Sequence, residues 1–258
     1  MTRIGDRFAS LARDRRKAFV AFVTAGDPSL DRTVEVALGM EDAGVDVLEL
    51  GVPFSDPLAD GPVIQRASDR ALKQGTVLAS VLDAVRRIRA RSPLPLLLFS
   101  YVNPLLRYGL DRLAVDAAAA GVDGVLVTDL PPEEGGGWIA CARKAGLDTV
   151  FLAAPTSPEA RLKRVADGSR GFVYAVSRTG VTGERDALSA DAAGLVARLK
   201  SLTGLPVALG FGLSTPEQVR AAAEVADGVV VGSAIVRFLE EDPAGDVLGM
   251  VRWLKSGM

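Results

Sequence analysis

The chain alternates between short apolar runs and longer segments whose apolar residues recur at helical spacing. Eight runs read as strands, at residues 18–23, 45–50, 94–99, 124–127, 149–152, 171–175, 207–209 and 228–231. Val77, Val81, Leu82, Val85 and Ile88 mark a helix over 77–89, one stripe of a period near 3.6. Further helices are expected at 31–43, 65–73, 111–120, 137–145, 158–165, 188–202 and 216–224, with a leading helix at 4–13 and a last one at 243–254. Strands that alternate with helices predict a parallel sheet.

A short unit recurs just ahead of several strands: Ala43-Gly-Val-Asp46, Ala120-Gly-Val-Asp123, Ala145-Gly-Leu-Asp148 and Val225-Ala-Asp-Gly228. Glycine ends the preceding helix in a left-handed cap, and aspartate opens the turn into the strand. An open doubly wound sheet would carry a glycine fingerprint after its first strand, and Thr24-Ala-Gly-Asp-Pro28 is not one. The expected fold is therefore α/β, a single (β/α)8 TIM-barrel domain over residues 1–258, with the leading helix in front. The chain has 258 residues, a typical length for one such barrel.

One strand breaks the apolar rule. Glu49 stands in the run 45–50, and the loop that follows, Gly51-Val-Pro-Phe-Ser-Asp-Pro-Leu-Ala-Asp-Gly61, is stiffened by two prolines and adds Asp56 and Asp60. A lone carboxylate in a strand is usually solvent-facing or paired with a buried cation. Two acids at one strand end, on the face where barrels gather their chemistry, favour a catalytic reading.

Composition narrows the chemistry. The chain contains no histidine, which removes a Ser-His-Asp triad, an imidazole base and a histidine-based metal site. Acid–base work falls to Asp, Glu, Tyr, Lys or Cys, and no metal site is expected. The net charge of −2 offers no basic footprint for nucleic acid. A single cysteine, Cys141, reads as a small buried hydrophobe and suits a reducing cytoplasm. The basic stretch before residue 18 lacks the apolar core of a signal peptide, and no apolar run reaches membrane-spanning length.

Other strand ends supply Tyr101 and Asn103, then Asp129, then Tyr174 and the polar loop 177–189. After the last two strands come Gly210-Phe-Gly212 and Gly232-Ser233, the latter opening a helical pattern over 234–239. Glycine lets backbone N–H groups approach an anion, and a helix start favours negative charge. A phosphate site with a short helix after strand eight is expected there. The loop 177–189 reads equally as an irregular connection or as a lid.

Taken together, these motifs resemble the tryptophan synthase α subunit family. Glu49-Leu-Gly-Val-Pro-Phe-Ser-Asp-Pro-Leu-Ala-Asp-Gly-Pro62 is similar to its signature, and Ser177-Arg-Thr-Gly-Val-Thr-Gly183, Gly210-Phe-Gly-Leu-Ser214 and Gly232-Ser-Ala-Ile-Val236 follow in the family's order. The resemblance runs from Phe19 to the end of the chain. It implies a carbon–carbon lyase that cleaves indole-3-glycerol phosphate to indole and glyceraldehyde 3-phosphate. It also implies an α2β2 complex in which indole passes to a β subunit that carries pyridoxal phosphate, with no cofactor in this subunit.

Residue by residue, the resemblance implies that Glu49 and Asp60 are the catalytic carboxylates. Phe22, Tyr101, Leu126 and Leu152 fall at indole-pocket positions, and Tyr174 stands near the substrate. Gly183, Gly212, Gly232 and Ser233 match phosphate-binding positions. Thr182 matches the threonine of a mobile loop, and the loop with Asp56 matches the part facing the β subunit. Phe99 and Ser100 depart from the smaller or more aliphatic residues implied for the pocket. Thr128 precedes Asp129 in place of an apolar residue or proline.

Other classes compete on the residues alone. A metal-dependent sugar-phosphate epimerase would need histidine ligands, which are absent. The synthase that makes indole-glycerol phosphate would need a strand lysine, and none of the eight runs contains one. A non-catalytic regulatory subunit would have no need of Glu49 and Asp60 together.

Overall fold

The computed structural model describes residues 2–176, 190–210 and 212–258. Thr182 and Gly183, with the rest of the 177–189 loop, lie outside the described residues.

The strands are β1 (Ala18–Thr24), β2 (Val47–Gly51), β3 (Leu96–Ser100), β4 (Gly124–Val127), β5 (Asp148–Val150), β6 (Leu152–Ala153), β7 (Val173–Val176), β8 (Val207–Gly210) and β9 (Gly228–Val231). Every pairing is parallel, in the order β5-β4-β3-β2-β1-β9-β8-β7-β6. The two segments at the ends of that order are neighbours in sequence, separated by Phe151 alone. The expected fifth strand is thus split. The Phe151 N–H turns to Ser169 Oγ at 3.3 Å, while its carbonyl accepts from Tyr174 N at 3.2 Å and carries the ring of strands on to β7. The result is an eight-stranded barrel whose fifth strand kinks.

Side chains alternate between two cores, as the strand period of two requires. Phe19, Ala21 and Val23 face the outer helices, whereas Val20 and Phe22 face the barrel interior. In β2, Leu48 and Leu50 pack outward and Val47 inward. Parity therefore points Glu49 into the barrel, level with Phe22 across the β1–β2 register.

The helices around the barrel are α1 (Arg3–Arg13), α2 (Leu30–Met40), α3 (Pro62–Lys73), α4 (Leu78–Arg89), α5 (Val102–Tyr108), α6 (Leu110–Ala120), α7 (Gly136–Lys144), α8 (Glu159–Gly168), α9 (Ala190–Leu202), α10 (Pro216–Val225), α11 (Ser233–Glu241) and α12 (Val247–Lys255). The leading helix α1 plugs the N-terminal end of the barrel. It buries Ile4, Phe8 and Leu11 in the inner core, with Phe8 5.4 Å from the Phe172 ring. Helix α5 goes beyond the sequence expectation. It occupies the link between Tyr101 and α6, and Gly109, at φ 94°, turns the chain from one helix into the next. The last helix starts later than expected, because Asp246, not Pro243, caps it by accepting from Gly249 N–H.

The recurrent aspartates explain themselves at the N-terminal end. Asp46, Asp123 and Asp227 each precede a strand and accept the N–H of Phe19, Leu96 or Val207 on the neighbouring strand, at 2.8, 2.9 and 3.0 Å. Each returns its own N–H to the carbonyl of that same residue. Cations complete the ring: Arg7 on Asp46, Arg3 and Arg89 on Asp123, Lys200 on Asp227. Asp148 bonds Thr2 and has Arg170 at 3.7 Å.

Candidate active site

At the opposite end, the C-terminal mouths of the strands surround a cleft of about 460 Å³. Glu49 and Asp60 line it with the aromatic side chains of Phe22, Phe99 and Tyr174. Gly212, Gly232 and Ser233 form another part of the wall, and Gly61, Ile64 and Val230 complete it. Seven of the residues singled out from the sequence therefore meet in one place.

Small strand-end residues make room for the large ones. A Cβ on Gly51 would lie 2.5 Å from Phe22 Cζ, and one on Gly210 would lie 2.5 Å from Tyr174 Oη. Both distances are impossible contacts, so glycine at these positions is what lets the two rings fold over the cleft. Phe22 meets Phe99 edge to face at 5.3 Å and 80°, a favourable aromatic arrangement. Gly212 adopts φ +81°, the left-handed region that favours glycine.

Glu49 is 1% exposed, and among the described residues its Oε1 has no hydrogen-bond partner. Burial alone pushes its carboxyl up to about 8 from an ordinary 4.5, since desolvation penalises the charged form. Asp60, 9% exposed, is raised by burial to about 6, and a hydrogen bond from Tyr101 pulls it the other way. Among the described residues, no cation contributes to either shift. The two acids thus differ in protonation near neutral pH, one neutral and one ionised. Tyr174 is held well above the ordinary phenol value, first by burial and then by the charges of Glu49 and Asp60, so it stays neutral.

Tyr101 does not line the cleft. Its hydroxyl accepts from Ala59 N–H at 3.1 Å and bonds Asp60, and its ring lies 5.2 Å from Phe54. It holds the loop that delivers Asp60. Gln65 adds a second brace, donating from Nε2 to the Asp60 carbonyl at 2.9 Å. Leu126 is fully buried on the inner face opposite Phe99 in the β3–β4 register, and Leu152 packs half-buried against the same core; neither reaches the cleft wall. Phe99 reaches it, at a position where the resemblance implies a smaller or more aliphatic residue, and so does Ile64, which nothing in the sequence singles out.

Ser233 opens α11, a nine-residue helix with Gly232 before it. The N–H groups of its first turn have no acceptor within the helix, and Gly232 and Ser233 place them against the cleft. Among the described residues, no lysine, arginine or cysteine lines the cleft. Among the described residues there is no cluster of three or more His, Cys, Asp or Glu that could hold a metal ion, and no helix is long and apolar enough to cross a membrane.

Comparison with known proteins matches this architecture from end to end. The family profile described as tryptophan synthase alpha chain matches residues 8–254. The chain is 57% identical over 262 residues to a tryptophan synthase alpha chain of Solibacter usitatus, covering 100% of this chain and 98% of that one. It is 52% identical to the corresponding protein of Geobacter sulfurreducens, covering 96% and 94%. Among solved structures, a Mycobacterium tuberculosis tryptophan synthase chain superposes with a TM-score of 0.92 at 39% identity, over 99% of this chain and 98% of that one. The tryptophan synthase subunit alpha of Legionella pneumophila gives 0.89 at 36% identity, over 100% and 97%. Matches of this extent, on a barrel with two buried acids at its mouth, have one reading: the chain belongs to the tryptophan synthase alpha chain family, the lyase of tryptophan biosynthesis that cleaves indole-3-glycerol phosphate.

Proposed function

We propose that Glu49 and Asp60 perform the cleavage, with the aromatic wall holding the indole ring and the glycine loops holding the phosphate. The observation that carries this assignment is the difference between the two acids: Glu49 is raised to about 8 and Asp60 to about 6 within one cleft.

The reaction needs a proton at indole C3 and the loss of one from the 3′-hydroxyl. Neutral Glu49 donates to C3, which turns the ring into an electron-accepting indolenine. Ionised Asp60 accepts a hydrogen bond from the indole N1–H and stabilises the positive charge that develops there. Glu49, now a carboxylate, takes the hydroxyl proton as the carbon–carbon bond breaks. Its electrons return to the ring, giving indole and the aldehyde, and Glu49 ends as it began. Phe22, Phe99 and Tyr174 present apolar faces suited to a flat ring. The first turn of α11, with Gly212 and Gly232, supplies N–H groups and a helix dipole for the phosphate, which fixes the reacting carbons.

Indole is passed to the family's partner, the tryptophan synthase beta subunit, in an α2β2 assembly. The pyridoxal phosphate of that assembly belongs to the partner. A Schiff-base lysine is what would hold it, and among the described residues none lines the cleft. A second groove on the same face, of about 1540 Å³, supports the partner reading. Pro53, Phe54, Asp56, Asn103 and Leu106 line it, and Leu58, 86% exposed, projects from the loop between Asp56 and Asp60. The single cysteine fits a cytoplasmic setting.

The test is the pH dependence of kcat/KM. The acidic limb should report Asp60 near 6 and the basic limb Glu49 near 8. Asp60→Asn should remove the acidic limb along with most of the activity. Retention of both limbs in that variant would overturn its role.

A further inference from the structure

Three elements that each build part of the cleft meet again, away from it, at one cation. Asp27 lies in the turn that follows β1, the strand of Phe22. It is buried and accepts both arms of Arg70, from Nε at 2.8 Å and Nη2 at 2.7 Å. The remaining nitrogen of Arg70, Nη1, donates to Glu240 Oε1 at 2.7 Å. Arg66, one turn earlier on α3, grips the same carboxylate with Nε at 2.7 Å and Nη2 at 2.6 Å. Helix α3 begins directly after Asp60 and Gly61, and α11 begins at Ser233. One network therefore joins the strand of Phe22, the helix behind Asp60 and the helix that presents the anion-binding N–H groups.

The positions of the charges need a reason. Glu240 sits in the last turn of α11, where a negative charge opposes the helix dipole. Taken alone it weakens the helix; with two guanidiniums on it, the end of α11 is tied to α3. Arg66 is exposed and Arg70 and Glu240 are half-buried, a setting in which single ion pairs add little stability. What a bidentate network supplies instead is direction, because the planar guanidinium fixes both distance and angle. Holding the far end of a nine-residue helix fixes where its first turn points.

We propose that Arg70 and Glu240 are positioning residues for the cleavage: the Asp27–Arg70–Glu240–Arg66 network aims the first turn of α11 at the substrate phosphate and keeps it in register with Asp60. The inference rests on the reading that Gly232 and Ser233 hold the phosphate. Glu240 is held down to about 2 by its two arginines, so it is charged at neutral pH.

The experiment measures steady-state cleavage and inorganic phosphate binding on the full chain, for Glu240→Gln, Arg70→Gln, Arg70→Lys and the double variant Arg70→Gln/Glu240→Gln. Glu240→Gln should raise KM and the phosphate Kd together by about five-fold, with kcat within about two-fold of the parent, the size of a modest coupling between sites. Arg70→Lys should recover only part of the loss seen in Arg70→Gln, since lysine keeps the charge but cannot bridge two carboxylates. The double variant should lose no more than Arg70→Gln, as expected for one shared network. Gly232→Val serves as the control. If it leaves phosphate binding intact, the phosphate reading fails and takes this inference with it. If Gly232→Val weakens phosphate but Glu240→Gln leaves both KM and Kd unchanged, the positioning role alone is wrong. A Glu240→Gln effect confined to kcat, or to the unfolding midpoint, also overturns it. Should Arg70→Gln fail to fold, the Glu240→Gln result still decides.

Discussion

The two ends of this barrel carry the same chemical group in opposite settings. At the N-terminal end, Asp46, Asp123 and Asp227 are each given a backbone N–H and at least one cation. At the C-terminal end, Glu49 has an oxygen with no partner, and Asp60 is bonded by a neutral tyrosine. Asp148 lies between the two cases: its cation, Arg170, stands off at 3.7 Å, and burial still raises its carboxyl. Burial alone therefore does not say what an acid is for; the partners do. A paired carboxylate ties strands together, whereas an unpaired one in a cleft keeps a proton available near neutral pH.

The largest expected effect breaks the catalytic side of this contrast. Glu49→Gln should lower kcat on the order of 10²-fold or more, the contribution of a general acid–base group. The same variant should gain stability. Folded Glu49 keeps its proton up to about pH 8, against 4.5 unfolded. Between those values the unfolded chain binds fewer protons, so stability falls as pH rises through the window. Glutamine removes that fall, a gain on the order of 3 kcal/mol at pH 7. Denaturant titrations of both proteins at pH 5 and pH 8 check it, and an equal pH slope in the two would count against the account.

The matching experiment at the other end should do the reverse. Asp123→Ala strands Arg89 and the Leu96 N–H. Breaking a buried pair of this kind costs about 3 kcal/mol. The unfolding midpoint should drop while the pH dependence of kcat/KM in the folded protein keeps its two limbs. Loss of a limb would mean that the two ends are not separable.

A smaller effect sharpens the comparison within the cleft. Tyr101→Phe removes the hydrogen bond that lowers Asp60, so the acidic limb should move to higher pH. The activity lost at neutral pH should be worth about 1 kcal/mol, one ordinary hydrogen bond. An unmoved limb would show that Tyr101 only packs beneath the loop.

Much of this contrast is legible along the chain. Strands buried on both faces read as apolar runs, so the eight strand–helix pairs and the oddity of Glu49 stand out without coordinates. The inward direction of Glu49 is not legible, because Val47 and Leu48 are both apolar and only their packing tells the two faces apart. Nor is the pause at Phe151, because Val150, Phe151 and Leu152 are as apolar as any strand. Helix α5 leaves no signal either, because Val102-Asn-Pro-Leu-Leu-Arg-Tyr108 is too short to show a period. The resemblance implies an indole-pocket position for Tyr101, and its hydroxyl bonds Ala59 and Asp60. The meeting of Arg70 with Glu240, 170 residues apart, comes from barrel closure and has no local trace. The same is true of Gly51, whose need to be small is visible only once Phe22 lies over it.

Among the described residues Glu49 Oε1 has no partner, and burial keeps the carboxyl protonated. The direct measurement is a carbon-13 NMR titration of the glutamate carboxyl groups in the intact chain, with Glu49→Gln identifying the resonance. The account predicts a midpoint near 8 for that signal. A midpoint near 4.5, the ordinary glutamate value, would contradict it.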